Sequence, residues 1–90
     1  MCQIAQTKRN HSKAIVKIEK QPGVTGYILQ YSTSREFAKG VTKIKKSKNP
    51  NIKLSGLKKS QVYYVRAKTV KQWKGKTYYS AYGDSSTMYN

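Results

Sequence analysis

The segment at residues 55–68 constrains the fold more than any other part of the sequence. It begins with Ser-Gly, passes a single leucine, Leu57, and enters a β-rich run at Tyr63, six positions later. That spacing suits a corner between two strands, in which an aromatic ring folds over the connection and its hydroxyl bonds to backbone upstream. The sequence therefore predicts a β-corner, with Leu57, Tyr63 and Val65 as structural residues.

Alternating apolar and polar residues predict further strands, each with one buried face. The clearest segments are residues 13–20, 25–32 and 62–71, and weaker ones lie at 3–8, 41–46, 51–54 and 77–89, the last interrupted at Gly83-Asp84. The segment 41–46 contains three lysines among its alternating residues, which is typical of an edge strand. Seven short strands predict an all-β sandwich of two antiparallel sheets. The predicted inward residues are Ala14, Val16, Ile18, Tyr27, Leu29, Tyr31, Tyr63, Val65, Ala67 and Thr69.

The chain of 90 residues is long enough for one domain with a modest core. We expect a weakly ordered N-terminal segment with the first strand at residues 1–12, followed by the main body of the domain at residues 13–90. No apolar run approaches the length of a spanning helix, and the first residues lack the apolar stretch of a signal peptide. These features predict no membrane span, and either a cytoplasmic protein or a piece of a longer chain.

The charge is extreme: 19 Lys and Arg oppose three acids, a formal net charge of +16. Such a field attracts polyanions, including nucleic acid, anionic membranes and acidic cell-wall polymers. Because only three of the cations are Arg, composition favours diffuse attraction over bidentate recognition. The alternative is that the lysines solubilise the protein and protect strand edges.

Enzyme chemistry has little support in the sequence. One His, one Cys and three scattered acids offer no carboxylate pair and no nucleophile with a base. We therefore predict no catalytic residue, no metal site and no cofactor. Cys2 cannot form an intrachain disulfide, because it is the only cysteine, although an intermolecular disulfide stays open.

Several motifs in order resemble those of the fibronectin type III domains. They are Gly26-Tyr27-Ile28-Leu29-Gln30-Tyr31, Tyr31-Ser32-Thr33-Ser34 and, after Gly56-Leu57, the run Tyr63-Tyr64-Val65-Arg66-Ala67. The stretch Lys74-Gly75-Lys76-Thr77-Tyr78-Tyr79 followed by Ser80-Ala81-Tyr82 is similar to Lys-rich modules of Gram-positive surface proteins. The resemblance covers residues 13–88. It implies a seven-stranded immunoglobulin-like sandwich and an extracellular or cell-wall location.

The resemblance also implies two details of packing. Where the family usually has a core Trp on its second strand, this chain has the smaller Ile18, so Tyr63 must lean in or the core is looser. Phe37 would plug one end of the sandwich. The chain has no Arg-Gly-Asp sequence, so integrin binding of the vertebrate kind is not expected.

The candidate binding surface combines cations with aromatic rings. Parity places Tyr64, Arg66 and Lys68 on the outward face, and the tight hairpin at residues 73–76 would extend that surface through Lys71, Trp73, Lys74 and Lys76. Such a surface could hold single-stranded nucleic acid, or a sugar or teichoic-type polymer. The simpler alternative is that Trp73 and Tyr78 form a cross-strand pair that steadies the hairpin.

Two functions follow. The first is a non-enzymatic fibronectin type III-like spacer, accessory or adhesion module of a bacterial surface or secreted protein. Its partners would be anionic cell-wall polymer or neighbouring domains. The alternative is a small basic nucleic-acid-binding protein of the cytoplasm.

Overall fold

The computed structural model describes residues 3–89, which form eight β-strands and no helix, so this part of the chain has no helix able to cross a membrane. All strand pairs are antiparallel and they build two sheets, as predicted for a β-sandwich. The smaller sheet has the order β1-β2-β5, and the larger has the order β4-β3-β6-β7, with β8 also paired to β6. Cys2 lies outside the described residues. The strands are β1 (Ile4–Asn10), β2 (Lys13–Ile18), β3 (Gly26–Ser32), β4 (Thr42–Ser47), β5 (Asn51–Leu54), β6 (Tyr63–Trp73), β7 (Lys76–Tyr79) and β8 (Ser86–Met88).

The described residues contain eight strands where seven were predicted, because the last strand is divided. β7 pairs with the end of β6 and β8 with its beginning, so both lie along the same edge. Val70 pairs with Tyr79 and Val65 with Ser86, so five steps along β6 correspond to seven along its partner. Two extra residues therefore bulge out between β7 and β8, as in other β-bulges that interrupt a ladder. The predicted interruption is real, and it is wider than Gly83-Asp84.

The core lies between the two sheets and uses the predicted inward faces. Ile18 is only 1% exposed and belongs to the central cluster, so it is buried at the position where the resemblance implies a Trp. Tyr31 is half-buried against this cluster, with its ring centre 6.4 Å from that of Tyr63 and tilted by 47°. Burial of each large aliphatic side chain contributes about 1.5–3 kcal/mol. The cluster comprises Ala14, Val16, Ile18, Tyr27, Leu29, Ile52, Leu54, Leu57, Tyr63, Val65, Ala67 and Met88.

The predicted corner before β6 is present. The Tyr63 hydroxyl accepts a hydrogen bond of 3.0 Å from the backbone N–H of Lys58, five residues upstream. Leu57 is buried beside it, and its N–H donates to the carbonyl of Ser12 in the β1–β2 turn. The corner thus connects the two sheets at one end of the molecule.

Arg9 fastens this corner in a way that the sequence did not predict. Its guanidinium donates to the carbonyl oxygens of His11, Gln61 and Lys58 at 2.9, 2.6 and 2.7 Å. Its Cζ lies 5.1 Å from the centre of the Tyr63 ring. Arg9 therefore ties β1 to a loop about fifty residues away in sequence and is a structural residue rather than a free cation.

The β6–β7 hairpin closes through a two-residue turn, as predicted. Lys74 and Gly75 have φ values of 50° and 76°, the positive values that a type I′ turn requires at both positions. β3 pairs with β6 only as far as Val70, and all residues from 71 to 79 are exposed. We call residues 71–78 the hairpin arm.

Candidate polyanion-binding surface

The side of the larger sheet that faces away from the core carries the first part of the predicted surface; we call it the outer face. Gln30 of β3 pairs with Arg66 of β6, and Ile28 pairs with Lys68, so these four side chains share one face. Ile28 is only 5% exposed although it lies outside the central cluster, so neighbouring side chains of the outer face cover it. The predicted outward orientation of Arg66 and Lys68 is confirmed.

Arg66 is held in place by three side chains. Its Cζ lies 4.2 Å from the centre of the Phe37 ring and 4.4 Å from that of Tyr82, while its Nε donates to the Gln30 side-chain oxygen. Among residues 3–89, no carboxylate pairs with this guanidinium and neither Nη atom has a hydrogen-bond acceptor. The two terminal nitrogens of a fixed planar fork are thus available to an external anion.

Two more cations lie on aromatic rings beside Arg66. The Lys68 Nζ is 4.8 Å from the ring centres of both Tyr79 and Tyr82, and the Arg35 Cζ is 5.7 Å from that of Tyr64. The negative face of an aromatic ring attracts a cation without neutralising it. The outer face therefore keeps its full positive charge while the cations are locally ordered.

The bulge after β7 places Tyr82 over the outer face. Ser80 and Gly83 stay attached to β6 through their N–H groups, which donate to the carbonyls of Thr69 and Ala67. Three residues of this segment span two of β6, and bulges of this kind turn a side chain towards a new direction. Tyr82 thus contacts both Arg66 and Lys68.

Phe37 reaches the same site from the loop between β3 and β4. Its backbone has a φ of 54°, and the loop is anchored by the buried hydroxyl of Ser32, which accepts from the Ser34 N–H and the Thr42 hydroxyl. The expectation that Phe37 plugs one end of the sandwich is wrong. It is half-buried and lies against Arg66, outside the central cluster.

The hairpin arm does not continue the outer face as predicted. Lys71 and Trp73 have the same parity as the inward residues of β6, so they point to the opposite side of the hairpin from Arg66 and Lys68. Lys76 pairs with Trp73 and shares its side, and the Lys74 Nζ lies 4.5 Å from the Trp73 ring. The residues predicted to form one site therefore lie on two surfaces, the outer face and the opposite side of the hairpin arm.

The alternative that Trp73 and Tyr78 form a cross-strand pair does not hold for directly opposed residues. The two-residue turn fixes a register in which Trp73 pairs with Lys76 and Tyr78 pairs with Lys71. The two rings are diagonal neighbours on one side of the arm, and each faces a lysine directly across the ladder. This arrangement spaces cations and rings alternately.

The described residues include no cluster with the composition of a metal site. No group of three His, Cys, Asp or Glu residues within positions 3–89 could hold a metal ion. Four shallow depressions on this part of the molecule are lined without any acid, His or Cys.

Comparisons with known proteins add no assignment to this geometry. No family model matches the sequence, and no curated protein matches it. The case for a function therefore rests on the contacts of Arg66 and on the hairpin arm.

Proposed function

We propose that this chain is a non-enzymatic, fibronectin type III-like module that binds an anionic polymer through its outer face. The parent would be a secreted or wall-attached bacterial protein, and the polymer an anionic component of the cell wall. The observation that carries this proposal is Arg66, a guanidinium oriented by two rings and an amide with no carboxylate partner in residues 3–89. Beside a neighbouring domain, the same module would also act as a spacer.

The fold type is supported by the corner and by the order of the strands. The Tyr63 hydroxyl bond to the Lys58 N–H resembles the corner that immunoglobulin-like sandwiches place before their sixth strand, which supports this proposal. The pairings β1-β2-β5 and β3-β6-β7 correspond to those of the A, B, E and C, F, G strands of such sandwiches. β4 adds to β3 at the edge of the second sheet.

Anions with two accessible oxygens, such as phosphate, suit Arg66. Its planar fork binds two oxygens of a phosphate or carboxylate at once, whereas a lysine attracts an anion as a point charge. Because rings and Gln30 already restrict the Arg66 side chain, little further entropy is lost on binding. A polymer with a phosphodiester in each repeat would engage Arg66 at one phosphate and Lys68 at the next position.

Nucleic acid is the second candidate, and Tyr79 is the observation that favours it. Tyr79 is 57% exposed, and its ring lies on the outer face beside the Lys68 ammonium. An exposed ring next to cations provides a stacking platform for the bases of a single strand. A poly(glycerol phosphate) strand has neither bases nor sugar rings to stack on this ring.

The deciding experiment measures binding of poly(glycerol phosphate) and of a short single-stranded DNA over a salt series. We expect one ligand to stay bound at about 200 mM salt, where purely electrostatic attraction falls steeply. Arg66→Lys keeps the charge and removes the fork, so it should weaken that ligand by about tenfold, as for other bidentate contacts. Lys39→Gln, in the exposed loop before β4, removes one charge and leaves the Arg66 fork in place, so it controls for net charge and should change affinity only slightly.

The outcome also separates the two candidates. Persistence of the wall polymer with no effect of Tyr79→Ala supports the first, and persistence of DNA with a loss on Tyr79→Ala supports the second. If both ligands dissociate together with rising salt and Arg66→Lys changes neither, the module has no specific site and acts as a spacer.

A further inference from the structure

The hairpin arm carries two exposed aromatic side chains that are not part of the outer face. Trp73 is 55% exposed and Tyr78 is 48% exposed, and both lie on the side of the arm opposite Arg66. Beyond Val70 the two strands of the arm pair only with each other, apart from a bond of the Gln72 N–H to the Thr25 hydroxyl. These rings therefore have no role in the core.

Lysines accompany both rings. Lys71 lies opposite Tyr78, Lys76 lies opposite Trp73, and the Lys74 Nζ is 4.5 Å from the Trp73 ring. No acid occurs between residues 71 and 79. A shallow depression at the tip is lined by Gln72, Trp73, Lys74, Gly75, Lys76 and Thr77.

We propose that the hairpin arm binds the surface of a membrane that contains anionic lipids. Trp and Tyr prefer the headgroup level of a bilayer, since their rings are apolar and carry one polar group each. Lysines on long apolar stems reach past such rings to the lipid phosphates. Trp73 and Tyr78 would enter the headgroup region, with Lys74 and Lys76 on phosphates beside the tip depression.

The arm fits a lipid surface better than it fits a polymer strand. Within residues 3–89, the Lys71 and Lys76 ammonium groups have no hydrogen bond, ion pair or aromatic ring that fixes them, whereas Arg66 bonds to Gln30 and Lys74 lies on the Trp73 ring. Flexible charges suit a fluid, two-dimensional array of headgroups, whereas a specific strand is best bound by fixed donors. The arm is a ribbon at the end of a molecule 44 Å long, so it can meet a flat surface.

The sole tryptophan of the chain makes the proposal directly measurable. Vesicles of phosphatidylcholine with about one-third phosphatidylglycerol should shift the Trp73 emission to shorter wavelength and raise it, because the ring leaves water. Vesicles of phosphatidylcholine alone should leave the emission unchanged at the same lipid concentration. Absence of a shift with saturating anionic vesicles would overturn the proposal.

Charge variants separate the arm from the generic field of the protein. The affinity of the triple variant K71Q/K74Q/K76Q for anionic vesicles, measured by co-sedimentation, should be roughly a hundredfold lower, because each lysine near the membrane surface contributes to the attraction. The matched control K13Q/K39Q/K43Q removes three exposed lysines near the opposite end of the molecule, where Lys13 follows the β1–β2 turn and Lys43 pairs with Tyr31. Equal losses in the two variants would contradict a role for the arm.

A final comparison distinguishes this proposal from the function proposed for the outer face. Arg66→Lys should weaken polymer binding and leave the vesicle-induced shift of Trp73 intact. If Arg66→Lys abolishes vesicle binding, lipid phosphates bind the outer face and the arm proposal fails. A Trp73 shift produced by poly(glycerol phosphate) or DNA without lipid would show that the arm is a polymer contact instead.

Discussion

At the scale of single residues, the Tyr63 hydroxyl carries a contact with a measurable energy. It accepts the Lys58 N–H at 3.0 Å, while the ring fills the end of the core. Tyr63→Phe keeps the ring and removes this bond, so the free energy of unfolding should fall by about 1 kcal/mol. Urea denaturation measures the change, and Tyr89→Phe, at a residue 74% exposed, is the control that should be neutral. Equal stability of the two variants would argue against the corner.

Arg9 should contribute more to stability, because its guanidinium donates to three backbone carbonyls at 2.9 Å or less and to a fourth, that of Met88, at 3.4 Å. Arg9→Lys preserves the charge but cannot reach all of these oxygens, and we expect a loss of about 1–3 kcal/mol in unfolding free energy. Arg35→Lys is the matched control, because Arg35 lies on the Tyr64 ring and bonds to no backbone carbonyl within residues 3–89. A loss at Arg35 as large as that at Arg9 would contradict this account.

Residues whose orientation follows from strand parity can be predicted from the sequence, whereas residues that act through long-range side-chain contacts cannot. The inward positions of Tyr63 and Val65 and the outward position of Arg66 follow from parity along one strand. The role of Arg9 depends on a side chain that reaches Gln61, 52 positions away. Phe37 and Tyr82 likewise contact Arg66 only because separate loops converge there. Long-range contacts of this kind leave no periodic signal.

At the scale of elements, the hairpin turn offers the clearest test. Gly75 has a φ of 76°, where a Cβ costs about 1–2 kcal/mol, so Gly75→Ala should open the arm more often. Lys74→Asn should stabilise the turn, because Lys74 has a φ of 50° and asparagine tolerates this conformation better than lysine. Amide hydrogen exchange within residues 71–78 is the appropriate measurement, because the arm can open without global unfolding. Faster exchange in Lys74→Asn than in the parent chain would contradict the assigned turn.

The bulge between β7 and β8 shows how an element positions a site. The sequence indicated an interruption at Gly83-Asp84, but the two extra residues lie within a polar and aromatic stretch whose parity is ambiguous. For this reason neither the division of the strand nor the direction of Tyr82 could be predicted. The same uncertainty did not affect the turn at Lys74-Gly75, whose length is fixed by its own residues.

Tyr82 provides the corresponding functional prediction. Tyr82→Leu keeps an apolar side chain but removes the ring shared by Arg66 and Lys68, so polymer affinity should fall a few-fold, as for other exposed cation–π contacts. Tyr82→Phe, which keeps the ring, should bind like the parent chain. Calorimetric titration compares the two, and equal affinities of the Leu and Phe variants would exclude a role for the ring.

At the scale of the whole molecule, the net charge of +16 acts on folding as well as on binding. The described residues measure 44 × 24 × 20 Å along their principal axes. The Debye length is about 30 Å at 0.01 M salt and about 8 Å at 0.15 M, so nearly all cations repel one another at low salt and only neighbours do at high salt. The compact state concentrates this repulsion more than the unfolded chain does.

Salt should therefore have opposite effects on stability and on ligand binding. The midpoint of thermal unfolding should rise when sodium chloride increases from about 0.01 M to 0.15 M, because screening relieves repulsion in the folded state. Over the same range, affinity for a polyanion should fall as released counterions become less favourable. The variant K39E/K43E, which lowers the formal charge from +16 to +12 at two exposed positions, should show a smaller rise. A midpoint of thermal unfolding that falls with salt in the parent chain would contradict this expectation. It would mean that attractive contacts of the charged groups outweigh their repulsion. The same salt titration of Tyr82→Leu would then test whether the cation–π contacts of the outer face are responsible.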